Sequence, residues 1–287
     1  MTKKMSIYMS NPSRQYSFLH NENGFSISLI EGHSLIQELS QIHNIGPHAL
    51  NYYRSTVLSS LQMLNFLKPG ENLGFYIDSE EPYYRFKIEI SNNGQLRTLL
   101  LPEDFEDFPT KLTGNCRLNK MSPGHEPYSS ILDFTEHPVK NLINEVLEKS
   151  YQTKSKIIIS DDCSSSIMVT KLPPTNINKK IEDFDDLSLE DIIKKFDKLI
   201  KAALLIPDAD VKTMEELFSQ AGLTYLGSKE VRFHCPCSHE RMVENLFTLS
   251  EKDREHIFQK RPVIETRCDY CNTVYEIKKE EIIKPLH

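Results

Sequence analysis

Four of the six cysteines in this 287-residue chain stand near its end as two tight pairs, Cys235-Pro236-Cys237 and Cys268-Asp269-Tyr270-Cys271, with thirty residues between them. Each short pair presents two sulfurs from one turn. The quartet can therefore close a tetrahedral zinc site, one ion per chain, once the intervening segment folds back. Four sulfurs leave no open coordination position and the chain has no HExxH-type pair, so the pattern favours a closed structural site over a catalytic one. A thioredoxin-like redox pair can also be argued from Cys268 and Cys271. That motif belongs at a helix start after a strand, however, and strand-like sequence follows it here. His234 and His239 flank the first pair and are expected to stay outside the ligand set while four cysteines are available. The thiolates that would bind metal are also oxidisable, so ligation and redox chemistry fall on the same atoms.

The elements that must position these sulfurs lie within residues 231–287. Val231–Phe233 leads into the first pair, Ser238 and Ser250 can each cap a short helix, and Val263–Thr266 and Thr273–Ile277 flank the second pair as strands. So few large apolar groups in about 57 residues cannot build much core. The metal must supply a large part of the folding free energy, about 10 kcal/mol by analogy with zinc-finger peptides.

Upstream, residues 176–230 read as a helical linker. Ser188 with Asp191 resembles a capping box, and Leu189, Ile192, Ile193, Phe196, Leu199, Ile200, Ala203 and Leu204 form one continuous stripe, expected to pack on the first domain. Thr213 with Glu216 is expected to cap a shorter helix ended by Gly222. Pro173-Pro174 and the polar stretch to Asp186 mark a domain boundary. Residues 1–175 mix strands and helices: an alternating strand at Phe25–Ile30, a helix from Pro47 to Leu67 stopped by Lys68-Pro69-Gly70, and strands at Leu73–Ile77 and Tyr84–Ile90. A strand at Leu96–Leu101 follows across an Asn92-Asn93-Gly94 turn. A helix is expected over Pro138–Lys149, then strands Lys156–Ser160 and Ile167–Leu172. The fold class is α+β: an N-terminal domain (1–175) with a mainly antiparallel sheet, the helical linker (176–230), and a small zinc-binding domain (231–287).

Apolar residues at 39% and charged residues at 26% describe a soluble globular chain. No stretch approaches the ~18 apolar residues of a membrane span, and the two N-terminal lysines precede no apolar segment, so neither a membrane nor a secretory signal is expected. A reducing compartment is expected, where paired cysteines are more often metal ligands than disulfides. Net charge is −7. Residues 231–287 hold ten basic and ten acidic side chains, about −2 with four thiolates and one Zn²⁺ counted, which offers no basic face to nucleic acid. Cys116 and Cys163 have no short-range partner and read as buried or incidental thiols. No GxGxxG, P-loop, GxSxG or catalytic carboxylate pattern emerges, so an enzyme is not expected.

The run from Glu230 to Arg241 (EVRFHCPCSHER) and the segment Cys268–Tyr275 (CDYCNTVY) resemble the C-terminal redox switch of the 33-kDa heat-shock-protein family. Upstream, Leu67-Lys68 with Glu71, Asn93–Arg97, Leu112–Gly114, Glu126–Tyr128, Ser150–Thr153 and Leu172-Pro173 fall in that family's order, so the resemblance spans nearly the whole chain. The family usually has Arg-Gly-Tyr and Ser-Glu-Gln where this chain has Arg97-Thr98-Leu99 and Ser150-Tyr151-Gln152. The resemblance implies a cytoplasmic, redox-regulated holdase. When reduced it is inactive, with Zn²⁺ on Cys235, Cys237, Cys268 and Cys271. On oxidation it implies disulfides Cys235–Cys237 and Cys268–Cys271, loss of the metal, and unfolding of the switch domain. The linker helices then lose a docking partner, unfolded clients bind, and the active form is a homodimer. No ATP site is needed. The runner-up is a constitutive zinc-ribbon interaction module with nucleic acid as its candidate partner; a thiol oxidoreductase is a third class.

Overall fold

A computed structural model describes residues 11–139, 142–173, 187–259 and 261–283. They fall into two compact units that divide after Phe233.

The first unit opens with β1 (Arg14–His20) and β2 (Phe25–Glu31), then α1 (His33–Ile42) and α2 (Pro47–Leu61), the latter prolonged by a 3-10 turn at Gln62–Phe66. Next come β3 (Asn72–Glu80), β4 (Tyr83–Ser91), β5 (Gln95–Leu101), β6 (Lys111–Met121) and β7 (Tyr128–Pro138). The chain continues with α3 (Leu142–Lys149), β8 (Ser155–Ile159), β9 (Ser165–Lys171), α4 (Leu189–Lys195), α5 (Asp197–Leu204), α6 (Val211–Ser219), β10 (Thr224–Glu230) and β11 (Arg232–Phe233). A five-stranded sheet runs β10-β1-β2-β9-β8, and a six-stranded sheet runs β11-β5-β4-β3-β6-β7. All their pairings are antiparallel except the two-residue β11 beside β5. The α+β class with a mainly antiparallel sheet content is therefore correct.

Both faces of the five-stranded sheet are buried, and the residues divide by parity. Ile30 and Met168 join a large core with α1, α2, α3 and strands of the second sheet. Their neighbours Phe25, Ile27, Leu29, Ile167 and Val169 face the other way, into a second core with Ile192, Phe196, Ile200, Met214 and Phe218 of α4–α6 and the α4–α5 junction. The apolar stripe thus packs on the first unit's sheet, and Phe218 of α6 stacks on Phe18 of β1 at 4.0 Å.

Local signals explain most element ends. Ser188 and Asp191 form a reciprocal capping box at α4. Gly94 ends the β4–β5 turn at φ +86°, a conformation that L side chains resist. Four expectations need correction. The stripe is not one helix: it breaks at Phe196 (φ −101°, ψ 13°) into α4 and α5. The cap of α6 is Asp210, which accepts from the Thr213 amide at 2.7 Å, rather than Thr213 itself. Pro138 closes β7 instead of opening a helix, and the described helix begins at Leu142. Thr224–Glu230, inside the region expected to be helical, is the strand β10. The boundary expected at Pro173-Pro174 and the polar stretch to Asp186 lies outside the described residues from Pro174 onward, as do the N-terminal lysines.

The second unit carries α7 (His239–Phe247), α8 (Glu251–Ile257), the hairpin β12 (Val263–Arg267) and β13 (Val274–Lys278), and α9 (Lys279–Ile283). Its buried apolar cluster consists of Val243, Phe258, Ile277 and Ile282. That is too little apolar burial to hold such a unit without another source of stability.

Candidate metal centre

Each cysteine pair is set by a local turn. After Cys235 and Cys237, Ser238 caps α7 by accepting from the Arg241 amide, and the Arg241 guanidinium donates to the Pro236 carbonyl at 2.8 Å, pinning the Cys-Pro-Cys turn. Cys268 and Cys271 occupy the β12–β13 connection. There the Asn272 amide donates to the Cys268 carbonyl (2.8 Å), and the Cys268 amide donates to the Thr273 carbonyl (3.0 Å). Asn272 takes the left-handed conformation at φ +59° that closes this knuckle.

The four Sγ atoms all lie within 4.8 Å of one another. Cys235 and Cys268 approach to 3.7 Å, and Cys237 and Cys271 to 3.3 Å. These separations are far beyond the ~2.05 Å of a disulfide, and all four are free thiols. A tetrahedral sulfur site with bonds of about 2.3 Å has edges of about 3.8 Å, so the donor set fits a metal ion. Among the described residues it is the one such cluster.

The surroundings treat the four sulfurs unequally. Burial pushes the Cys235 thiol up to about 12, with the neighbouring Cys237 and Cys268 thiols adding to the rise. Burial also raises Cys268. At Cys271 burial works in the same direction, but hydrogen bonding with Thr273 and with the Cys237 and Cys268 thiols outweighs it and brings the group down to about 7. The Tyr275 hydroxyl lies 3.0 Å from the Cys237 sulfur, and that contact holds the phenol above its ordinary range.

Cys235, Cys237, Cys268 and Cys271 thus come together, and the other candidates do not join them. His239 pairs with Glu281 at 2.6 Å, tying α7 to α9, and His234 is exposed. Cys116 is buried in β6, where burial pushes its thiol up to about 11. Cys163 sits in the β8–β9 turn at φ +53°, with its sulfur 3.2 Å from the Ser55 hydroxyl. Reasoning from sequence gave no role to Thr273, Glu281 or the Arg241 side chain. The Ser-x-Glu-Arg run after Cys237 was the available sign of Arg241, while Thr273 and Glu281 carry no periodic signal.

Among the described residues no helix is long and apolar enough to cross a membrane. The chain matches the family model described as Hsp33 protein over residues 13–278. It is 23% identical over 274 residues to the 33 kDa chaperonin of Thermosipho melanesiensis, covering 90% of this chain and 93% of that one. It is 21% identical over 280 residues to the 33 kDa chaperonin of Aquifex aeolicus, with 89% and 84% covered. The crystal structure of the 33 kDa chaperonin from Thermotoga maritima superposes with a TM-score of 0.68 at 16% identity, covering 95% of this chain and 97% of that one. That likeness extends the fold across both units, and the family match runs through all four clustered cysteines: the chain belongs to the Hsp33 family of chaperones.

Proposed function

We propose that this chain is a redox-regulated holdase, inactive when reduced and zinc-bound, that binds unfolding proteins after oxidation. One observation carries the proposal: four thiols converge in a unit that, among the described residues, buries an apolar cluster of four side chains. Cys235, Cys237, Cys268 and Cys271 would hold one Zn²⁺, which when bound contributes folding free energy, about 10 kcal/mol in comparable small modules. The same four sulfurs are the oxidation targets. Each disulfide takes two electrons and two protons from a thiol pair, and a peroxide accepting them becomes two waters. Pairing within each motif, Cys235 with Cys237 and Cys268 with Cys271, follows the family resemblance. Sulfurs joined in a disulfide no longer offer thiolate ligation, so the unit loses its main stabilisation. Phe233, the end of β11, is two residues from Cys235, and unfolding spreads along the chain to β10 and to α6, α5 and α4. The apolar face of those helices, and the sheet face beneath it, then become available to clients.

The domains act as 1–175 for client binding and dimerisation, 176–230 as the releasable linker, and 231–287 as the switch. The active form is a homodimer working in the cytoplasm, with no catalytic step and no nucleic-acid or membrane partner. Peroxide with mild heat should release about one zinc per chain and switch on suppression of client aggregation. Zinc retained under those conditions, or equal holdase activity in the reduced protein, would overturn the proposal. Salt-sensitive RNA binding by the reduced form would favour a constitutive interaction module instead.

A further inference from the structure

We propose that β10 occupies a client's place: the edge of β1 that it covers is where an extended segment of an unfolding protein adds as a strand. This rests on the chaperone function proposed above and names the surface and the kind of partner.

Several features separate β10 from the other strands of its sheet. It is one of the sheet's two edge strands, with β8 at the other end, and pairs on one side with β1 from Arg14 to Leu19. None of its seven side chains is buried, and Leu226 is 59% exposed. By contrast β2 and β9 bury five or more side chains each. The hold of β10 on the sheet therefore comes mainly from backbone hydrogen bonds, which do not depend on side-chain identity. The pairing is also interrupted: the register shifts between Ser17 and Phe18, opposite Gly227 at φ +141°. A bulge of this kind shortens the regular ladder and makes an edge strand easier to detach.

Its seat is built differently. Tyr16 and Phe18 of β1 are fully buried, and β1 pairs along its whole length with β2. Loss of β10 would leave β1 in place with a row of unpaired amides and carbonyls, a template for another extended chain. One side-chain position adds selectivity without fixing a sequence. The Tyr225 ring lies 5.6 Å from Phe18, beside the Phe18–Phe218 stack, so an incoming aromatic residue can take the same place. Polypeptide recognition by strand addition has this division of labour, main chain for affinity and spaced side chains for preference. The chain order supplies the control. β10 lies between α6 and β11, on the stretch that ends at Cys235, so the segment covering the edge is the one released when the cysteine unit unfolds.

Two measurements on the full-length protein test this. A fluorescent peptide with the sequence of residues 222–232 should bind the oxidised protein at least about tenfold more tightly than the reduced, zinc-loaded protein. It should also displace reduced, carboxymethylated α-lactalbumin, a permanently unfolded chain. N-methylation at alternate backbone amides should weaken it by about tenfold or more, because it removes the ladder and spares the side chains. Hydrogen exchange should show the amides of Arg14–Leu19 losing protection on oxidation and regaining it when the α-lactalbumin binds. Equal competition by the N-methylated peptide, or β1 amides that stay protected on oxidation, would overturn strand addition while leaving the chaperone function intact. Oxidised protein that binds no unfolded chain at all would overturn both.

Discussion

Replacing Phe218 with alanine should convert the reduced, zinc-loaded protein into a partly active holdase without any oxidant. The Phe218 ring is fully buried, stacks on Phe18 at 4.0 Å, and belongs to the cluster that holds α4–α6 on the five-stranded sheet. Truncating a buried phenylalanine costs about 3–5 kcal/mol, which already includes the lost stacking and the cavity. At about 1.4 kcal/mol per factor of ten, that shifts the ratio of docked to undocked helices by roughly 10²–10³ or more. The cysteine unit lies outside this cluster, so zinc content should stay at that of the unmodified protein. The assay pairs aggregation suppression by the reduced variant with hydrogen exchange over residues 189–230, which should lose protection as one block. Leu205→Ala, at a side chain 78% exposed, is the control and should stay within about 0.5 kcal/mol of the parent. A Phe218→Ala protein with unprotected helices, intact zinc and no holdase activity would refute the claim that these helices cover the client surface.

Serine at both Cys268 and Cys271 should abolish tight zinc binding and unfold the C-terminal unit together with α4–α6 and β10, while the rest of the first unit stays folded; chelator competition and hydrogen exchange check both. His20 predicts an acid-sensitive limb in stability. It stacks on Phe25 at 4.9 Å and meets Phe196 edge-on at 5.4 Å, and burial holds it below its ordinary pKa of 6.5, opposed by Glu22 and reinforced by Lys195. Above pH 6.5 the ring is neutral in both states and adds no pH dependence. As pH falls below 6.5, the unfolded chain takes up a proton that the folded one refuses, so stability drops until the lower folded pKa is passed. His20→Phe should flatten part of that limb in Tm measured from pH 7.5 to 5, leaving the part due to His43, which burial also holds low; parallel curves would refute the assignment.

How legible the molecule is from sequence depends on whether a residue's job leaves a local pattern. The Ser188–Asp191 box and the Asn92–Gly94 turn act over three or four residues, and both appear as expected. The four cysteines are legible because short paired spacing and a soft donor are what a tetrahedral site requires. The break at Phe196 is hidden because apolar spacing runs on through it, while the turn there drops the ring into the cleft beside Phe25 and His20. The cap of α6 is Asp210 and not the expected Thr213: both residue types cap well, and only backbone geometry shows which side chain accepts the amide. Strand β10 is hidden for the reason it matters: none of its side chains is buried, and its hold on the sheet comes mainly from backbone pairing. The contact of Tyr275 with Cys237 joins residues 38 apart and leaves no mark in spacing.

The most direct test is simultaneous measurement of zinc release and aggregation suppression in one sample titrated with hydrogen peroxide at mildly raised temperature. The account predicts that the two rise together, reaching about one zinc per chain at full activity, and that both reverse with thiol reduction and added zinc. Full holdase activity in the reduced protein with its zinc in place would contradict it, as would complete zinc release that leaves client aggregation unchanged.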